Sequence, residues 1–284
     1  MKEKIRFGLI GYGKVAALHA RALGTIPHGE LVAVCGRHEE KRDAFARQWG
    51  LSSRQDVGEM VKKDRIDAVL VTTPHPQHVP DALAALQAGC HVLVEKPLAL
   101  SVSDCESLIS ESQARGKLLS VISQRRWYPS CMRIRRAIDD GLLGLPALGQ
   151  LTILGWRDEA YYQSDPWRGS WEKEGGGVIV NQAPHQFDLL CWYLGEVAEV
   201  YGRWANVNHP YIEVDDSAVA TVRFTPGGLA SIFVSNSQKP GIYAKVHIHG
   251  SSGASAGVQT DGGAMFIAGM SSVLEPPYND IWTI

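Results

Sequence analysis

Short apolar runs alternate with helix-length segments over roughly the first 122 residues. The runs read IRFGLIG, ELVAVCG, DAVLVTT, HVLVEKP and LLSVIS, and they are apolar at successive positions, which is typical of strands buried on both faces. Between them, apolar spacing predicts helices over 14–26, 39–49, 77–88 and 101–115. Glycines follow three of these segments as helix stops, at Gly50, Gly89 and Gly116. The alternation predicts an α/β Rossmann domain with a doubly wound parallel sheet.

The pattern changes after Arg126. A helix is predicted around 131–140, a polar and aromatic stretch RDEAYYQSDPWRGSWEKE follows, and an apolar helix comes after three glycines. The runs SAVATVRF, GLASIFVSN and AKVHIHG then alternate apolar and polar residues and are joined by Gly, Pro and Asn turns. Such alternation predicts an α+β domain with a large, mostly antiparallel sheet that is covered on one face. We therefore predict a dinucleotide-binding domain over 1–124 and a second domain over 125–284.

Composition and charge exclude several classes of partner. Of 284 residues, 45% are hydrophobic and 20% are charged, and 28 Lys and Arg against 30 Asp and Glu give a formal net charge of −2. So small a net charge predicts no nucleic-acid and no membrane partner. The arginines within 125–136 are interpreted as a solvated helix face. No stretch is typical of a signal peptide or a membrane span, which favours a cytoplasmic location.

The cysteines and histidines do not predict a metal site. The 5 cysteines are scattered and never form a C-x-x-C pair, so we expect reduced thiols, no disulfide framework and no bound metal. His247 and His249 share one face of a predicted strand and are interpreted as packing or interface residues.

A glycine motif lies where the first strand leads into the first helix. The segment FGLIGYGKVAALHARAL carries Gly11-x-Gly13-x-x-Ala16. Gly11 permits the tight turn, Gly13 lets a pyrophosphate approach the backbone, and Ala16 lets helix and strand pack closely. The helix N-terminus then attracts the anion. Glycines in a plain turn are the alternative, but the motif starts a βαβαβ pattern. We predict a dinucleotide site that includes Gly11, Tyr12, Gly13, Lys14 and Val15.

The end of the second strand decides which dinucleotide is preferred. NAD-binding proteins place an acid there against the ribose 2′-hydroxyl, whereas NADP-binding proteins supply an arginine. This chain reads Cys35-Gly36-Arg37-His38, without a carboxylate. We therefore predict that Gly36 and Arg37 bind the cofactor and that NADP is favoured over NAD. The alternative is that Arg37 only lies over the adenine ring.

A lysine follows the run HVLVEKP, in the sequence Glu95-Lys96-Pro97. Ligands of open α/β folds bind at the carboxyl ends of the strands, so this lysine is predicted to be functional. Oxidation of a secondary alcohol by a nicotinamide also removes the hydroxyl proton. A cationic Lys96 would stabilise the developing alkoxide, and a nearby imidazole could accept the proton.

The stretch EGGGVIVNQAPHQFDLL carries three polar side chains in an otherwise apolar segment. Asn181, His185 and Asp188 are four and three residues apart, so one helix would present all three on one face. The apolar residues beside them are expected to face the core of the second domain. The preceding glycines are expected to let the chain pass close to the nicotinamide.

These motifs together resemble the Gfo/Idh/MocA family, named for glucose–fructose oxidoreductase and myo-inositol dehydrogenase. The segment TTPHPQHVPDALAALQAGCHVLVEKPLAL resembles the family's cofactor and lysine segment. The segment SDPWRGSWEKEGGGVIVNQAPHQFDLLCWYLG resembles its substrate segment. The resemblance covers essentially the whole chain, and three linked motifs make it more specific than the glycine motif alone.

The resemblance implies an NAD(P)-dependent oxidoreductase that acts on a secondary hydroxyl or ketone of a sugar or cyclic polyol. Lys96 would lie beside the reacting hydroxyl, His185 would accept the proton, and Asn181 would orient the substrate in place of the family's frequent aspartate. Further cofactor positions are Thr73, Pro74, His78, Glu95 and Lys96. Weaker substrate positions are Tyr161, Trp167, Arg168 and Asp188. A homodimer or homotetramer formed through the C-terminal sheet is also implied.

Some of these interpretations have alternatives. The group Tyr161, Trp167 and Arg168 could be aromatic packing with a surface arginine, and Asp188 could orient His185 or cap local backbone. A glycosidase that oxidises its sugar transiently and a non-catalytic cofactor-sensing regulator are the alternative functions. Family members usually continue for some tens of residues beyond a segment such as PPYNDIWTI, so the chain is either a shortened form or a member without that closing element.

Overall fold

The computed structural model describes residues 4–238 and 244–259, and the backbone of 243 and of 265–268. The chain divides into two compact units, Met1–Ile122 and Ser123–Ile284. The segment PPYNDIWTI, on which the expectation of a shortened chain depends, lies outside the described residues. Within the described part, no helix has the length and apolar character that a membrane crossing requires.

The first unit contains a six-stranded parallel sheet. Its strands are β1 (Ile5–Ile10), β2 (Gly29–Cys35), β3 (Ser52–Arg54), β4 (Ala68–Val71), β5 (His91–Val94) and β6 (Leu119–Val121). The spatial order is β3-β2-β1-β4-β5-β6, and all the pairs are parallel. The helices are α1 (Lys14–Leu23), α2 (Glu39–Trp49), α3 (Val57–Asp64), α4 (His78–Gln87) and α5 (Val102–Ala114). The predicted doubly wound Rossmann sheet is confirmed.

Side chains of the central strands alternate between two buried clusters. Leu9, Val34 and Leu70 pack with Ala16 and Ala20 of α1 on one face of the sheet. On the other face a second cluster contains Ile10, Ala33, Val69 and Val71 from the same strands. Burial on both faces explains why the runs are apolar at successive positions.

Two elements of the first unit were not predicted. β3 is only three residues long and polar, so it has no apolar run to mark it. α3 has a recognisable start, because the Asp56 side chain accepts a hydrogen bond from the backbone amide of Glu59 at 2.8 Å. This cap is a local signal that could have predicted the helix.

The second unit combines a seven-stranded sheet with several helices. Its helices are α6 (Pro129–Asp139), α7 (Glu159–Gln163), α8 (Trp171–Glu174), α9 (Val178–Asn181) and α10 (Pro184–Leu194). Its strands are β7 (Pro146–Leu154), β8 (Val197–Ala205), β9 (Ser217–Phe224), β10 (Leu229–Ser235), β11 (Tyr243–Gly250), β12 (Ser255–Gln259) and β13 (Met265–Ala268). The order is β13-β12-β11-β7-β10-β9-β8, with β7 and β10 parallel and the other pairs antiparallel.

One face of this sheet is covered, as predicted. In β10, Ala230, Ile232 and Val234 are buried, whereas Leu229 and Phe233 are exposed. α10 packs Leu189 and Leu190 into the cluster beneath the covered face. The apolar side of the segment that follows the three glycines therefore belongs to the core of the second unit.

The prediction of one continuous helix over that segment is wrong. Asn181 ends α9, whereas His185 and Asp188 belong to α10, which starts at Pro184. Proline has no backbone N–H to donate to the preceding turn, so a helix that reaches it is interrupted there. The four-residue spacing between Asn181 and His185 thus spans a break.

Candidate active site

The glycine motif forms the turn from β1 into α1. Gly11 has a φ of 100°, and a Cβ on it would lie 2.9 Å from Thr72 Oγ1, so both conformation and space require glycine. Gly13 is the N-cap of α1 and has an ordinary φ of −81°. A Cβ on Gly13 would meet no atom within 4 Å. The space beside Gly13 suits the close approach of a phosphate to the helix N-terminus, on which no side chain acts as a cap.

The end of β2 brings together several predicted cofactor residues. The Tyr12 hydroxyl accepts a hydrogen bond from the backbone amide of His38 at 2.9 Å. A Cβ on Gly36 would lie 2.5 Å from the Tyr12 ring, so the ring lies directly against this glycine. The Arg37 guanidinium donates to Gln77 Oε1, from the loop after β4. Burial raises the pKa of the neighbouring Cys35 thiol to about 12, so this thiol stays neutral.

The loop after β4 holds Thr73 and Pro74, and His78 is the first residue of α4, which follows it. Thr73 Oγ1 donates to the Asp81 carboxylate at 2.7 Å, and burial raises the pKa of Asp81. His78 is only 1% exposed. Its Nδ1 lies 2.6 Å from the carbonyl oxygen of Pro97 and its Nε2 lies 2.8 Å from that of Thr73. Both ring nitrogens of His78 thus face backbone carbonyl oxygens, and its predicted contact with the cofactor stays a prediction.

Lys96 follows β5, and the residue before it is tied to α1. Glu95 Oε1 lies 2.8 Å from His19 Nε2, and Glu95 Oε2 accepts the backbone amide of Lys96 at 3.2 Å. Burial alone would raise the pKa of Glu95, but the hydrogen bond and charge of His19, together with Lys96, hold that pKa below its ordinary value. Sequence reasoning missed His19, because nothing local signals a contact between residues 76 positions apart.

In the second unit, Asn181 contacts a carboxylate that the sequence did not reveal as part of a site. Asn181 Nδ2 donates to Glu174 Oε1, and Glu174 Oε2 accepts the backbone amide of Gly169 at 2.6 Å. Glu174 is 1% exposed, and burial raises its pKa. An aspartate in place of Asn181 would set two carboxylates against each other. The amide therefore fits this environment.

The last glycine before α9, Gly177, is explained by packing against Asp215. The Asp215 carboxylate accepts the backbone amides of Gly177 at 2.8 Å and Ile179 at 3.1 Å, and its carbonyl oxygen accepts that of Val178 at 3.0 Å. A Cβ on Gly177 would lie 1.7 Å from the Asp215 carbonyl oxygen. The observed requirement for glycine here is this close approach, whereas passage of the chain near a nicotinamide stays a prediction.

His185 and Asp188 lie in the first turns of α10. His185 is half-buried and follows Pro184, the first residue of the helix. The Asp188 carboxylate is held by Arg126 through two hydrogen bonds, Nε to Oδ2 at 2.8 Å and Nη2 to Oδ1 at 2.7 Å. The Arg126 guanidinium also lies 5.4 Å from the centre of the Trp192 ring. Arg126 is therefore an ion-pair partner of α10, although the sequence suggested a solvated arginine.

The structure brings Tyr161, Trp167 and Arg168 together. The Arg168 guanidinium lies 4.3 Å from the centre of the Tyr161 ring and 4.4 Å from that of the Trp167 ring. The Tyr161 hydroxyl accepts hydrogen bonds from Arg168 Nη1 at 2.6 Å and Gln182 Nε2 at 2.8 Å, and Asn181 Nδ2 lies 3.4 Å away. Aromatic rings are suited to the apolar face of a sugar ring, and amide and guanidinium donors are suited to its hydroxyls.

No group of three or more His, Cys, Asp or Glu side chains suited to a metal ion occurs within the described residues. The rings of His247 and His249 are 4.3 Å apart on β11. Burial, with the charges of His249 and Lys245, lowers the pKa of His247 to about 4.

Comparison with known families agrees with both units. The family profile described as "Oxidoreductase family, NAD-binding Rossmann fold" matches residues 5–123, and the profile "GFO/IDH/MocA C-terminal domain" matches residues 131–256. The crystal structure of the WlbA dehydrogenase from Bordetella pertussis, in complex with NADH and UDP-GlcNAcA, is 31% identical. The match covers 91% of this chain and 74% of that one, with a TM-score of 0.84. GenD2 from gentamicin A biosynthesis, 25% identical, was crystallised with NAD.

Curated relatives are also oxidoreductases. Myo-inositol 2-dehydrogenase of Thermotoga maritima is 28% identical over 254 residues, which are 88% of this chain and 74% of that protein. An oxidoreductase of Formosa agariphila is 31% identical over 204 residues, or 70% of this chain, and this match spans 64% of that relative's length. The WlbA and GenD2 crystal structures contain NADH and NAD, so they give the predicted preference for NADP no support.

Proposed function

Because the chain belongs to the Gfo/Idh/MocA family of NAD-binding oxidoreductases, we propose that it is a dehydrogenase acting on a CH–OH group of a sugar, a sugar acid or a cyclic polyol. The observation that carries this proposal is the position of Lys96. It follows β5 at the carboxyl edge of the parallel sheet, the same edge at which β1 ends at Ile10, directly before Gly11. In open α/β folds this edge is where ligands bind.

Lys96, His185 and Asn181 are each proposed to have a separate role in the reaction. A nicotinamide cofactor held by the Gly11–Gly13 turn would supply the hydride acceptor for oxidation. Lys96 supplies a positive charge to the oxygen as its proton leaves, which stabilises the developing alkoxide. His185 is the proposed proton acceptor, because imidazole is the side chain best suited to proton transfer near neutral pH. Asn181, held by Glu174, presents its amide to the substrate.

The substrate's ring is proposed to bind against Tyr161, Trp167 and Arg168. Support comes from the stacking of Arg168 on both rings and from the convergence of donors on the Tyr161 hydroxyl. The relatives include enzymes named for an inositol and one crystallised with a nucleotide sugar acid. A homodimer or homotetramer through the exposed face of the second sheet remains part of this proposal, supported by exposed Val219, Leu229 and Phe233.

The choice between NADP and NAD is proposed to depend on Arg37, as the absence of a carboxylate after β2 suggests. Substitution Arg37→Ala should raise the Kd of NADP by about tenfold, because a charge-assisted hydrogen bond to the 2′-phosphate is lost. The Kd of NAD should change little. Calorimetric titration with both cofactors measures this difference, and an equal effect on the two would show that Arg37 only lies over the adenine.

The proposed activity is tested by turnover. Purified protein is offered NAD or NADP with a panel of sugars, inositols, sugar acids and nucleotide sugars, and reduced cofactor is followed by absorbance. We expect activity with at least one substrate, and Lys96→Ala should lower kcat by about 10³-fold. The control is Lys41→Ala, an exposed lysine of α2. Normal turnover by the Lys96 variant would disprove the assigned mechanism.

A further inference from the structure

The residues on either side of Lys96 are each bound by a histidine. Before it, the Glu95 carboxylate lies 2.8 Å from His19 Nε2. After it, the carbonyl oxygen of Pro97 lies 2.6 Å from His78 Nδ1. The two histidines come from different helices, α1 and α4, and their side chains are mostly buried.

Each histidine also connects Lys96 to a loop of the proposed cofactor site. His19 lies on α1, the helix whose N-terminus follows Gly13. His78 Nε2 lies 2.8 Å from the carbonyl oxygen of Thr73, in the loop after β4. The backbone around Lys96 is thus fixed to the same two segments that are proposed to hold the dinucleotide.

We propose that His19 and His78 are positioning residues that hold Lys96 at a set place relative to the cofactor loops. This inference rests on the proposed role of Lys96. Glu95 transmits the effect of His19, because its second oxygen accepts the Lys96 amide at 3.2 Å. A displacement of about 1 Å at a reacting group can lower a rate by about 100-fold, so such supports affect turnover strongly.

Amide hydrogen exchange at Lys96 tests the role of His19 without requiring turnover. In His19→Leu the Glu95 carboxylate loses its partner, and the Lys96 amide should exchange about tenfold faster. His19→Gln keeps a donor nitrogen at nearly the same reach and should exchange like the wild type. The reference is the amide of Val92 in β5, which donates to the carbonyl oxygen of Leu118, the residue before β6, at 2.8 Å. An unchanged Lys96 rate, or equal acceleration at Lys96 and Val92, would overturn the proposal for His19.

Substitution of His78 by asparagine or by glutamine tests its two contacts one at a time, because each side-chain amide replaces only one ring nitrogen. The asparagine side-chain nitrogen replaces Nδ1, so His78→Asn keeps the contact to Pro97, whereas His78→Gln keeps the contact to Thr73. We expect His78→Gln to lower kcat by about tenfold with little change in cofactor KM, and His78→Asn to raise cofactor KM with kcat nearly kept. Equal effects of the two variants on kcat would overturn the role of His78.

The same measurements separate this inference from the proposed function. Suppose that Lys96→Ala turns over normally, while His19→Leu still accelerates hydrogen exchange at the Lys96 amide. The histidines then position Lys96, but the proposed chemistry is wrong. If Lys96→Ala is inactive while His19→Leu leaves both kcat and exchange unchanged, the chemistry stands and the positioning role is wrong. If the protein shows no turnover, the exchange rate of the Lys96 amide still tests the role of His19. The role of His78 is then tested by the chemical shift of the Pro97 carbonyl carbon, measured by nuclear magnetic resonance in the two His78 variants. An equal shift in both would refute its role.

Discussion

Two glycine-rich stretches differ in what their glycines contact. In Gly11-x-Gly13, a Cβ on Gly13 would enter open space beside the first turn of α1. In Gly175-Gly176-Gly177, a Cβ on Gly177 would lie 1.7 Å from the Asp215 carbonyl oxygen. One stretch leaves room for a ligand, and the other makes room for the protein's own backbone. Glycine content alone therefore does not distinguish a binding loop from a packing contact.

The candidate site residues of the two units also differ in what positions them. In the first unit, site residues follow from topology, because the carboxyl ends of parallel strands meet at one edge of the sheet. In the second unit, Asn181 and Asp188 are held by buried or paired partners, Glu174 and Arg126. Glu174 and Arg126 thus fix these two side chains, and Asp215 fixes the backbone at the start of α9.

The largest expected effect separates the two glycines. Gly177→Ala should lower the Tm by roughly 10 °C, because the new methyl group forces the backbone away from Asp215 and removes several hydrogen bonds. Gly13→Ala should change the Tm by less than roughly 3 °C, since its φ of −81° suits alanine and no atom is near. Its cofactor affinity should fall instead.

Thermal unfolding and cofactor titration of both variants measure this contrast. If Gly177→Ala were as stable as the wild type, packing against Asp215 would not explain the glycine.

A smaller effect is expected at the next residue, Asp216. Its buried carboxylate accepts hydrogen bonds from His209 Nδ1 at 2.6 Å, from Ser237 and from the amides of Val207 and Asn208. Burial alone would raise the pKa of Asp216, but these bonds lower it to about 2. This value lies below that of an unfolded aspartate. The stability it contributes, about 2 kcal/mol, is therefore present above about pH 4 and is lost as the pH falls towards 2.

Unfolding measured between pH 2 and pH 7 checks this linkage. Asp216→Asn should destabilise the second unit at pH 7 by about 2 to 4 kcal/mol. The free energy of unfolding of this variant should also fall less steeply than that of the wild type as the pH drops from about 4 to about 2. Asp139→Asn is the matched control, because its carboxylate is 62% exposed in a pair with Arg135. An unaltered acid dependence in Asp216→Asn would contradict the assignment.

The smallest expected effect concerns the pair of Asp188 and Arg126. Arg126 is 40% exposed, so screening by solvent limits the contribution of this pair to about 1 kcal/mol. Asp188→Asn and Arg126→Gln should destabilise the second unit equally and should change substrate KM alike. A large rise in KM for Asp188→Asn alone would instead place Asp188 against the substrate, as the resemblance suggests.

The sequence predicted much of the first unit because its signals are local. Apolar runs, helix stops and the Gly11 motif all act within a few residues, and Glu95-Lys96-Pro97 follows a strand whose end could be located. The partners of these residues were missed. His19 of α1 contacts Glu95, which follows β5, and no spacing rule connects positions so far apart in the chain.

In the second unit, spacing was misleading. Asn181 and His185 seemed to share a helix face, but Pro184 separates α9 from α10. Glu174 and Asp215, which hold this region in place, are both nearly fully buried. Their burial depends on tertiary contacts, which periodicity does not encode.

The most direct test of the proposed function is isotope transfer within one turnover. The best substrate of the panel is prepared with deuterium on the carbinol carbon and mixed with enzyme and oxidised cofactor. We predict that mass spectrometry finds the label on C4 of the nicotinamide, at a rate about 10³-fold slower in Lys96→Ala. Label that remains in the product or passes to solvent would contradict hydride transfer by this protein.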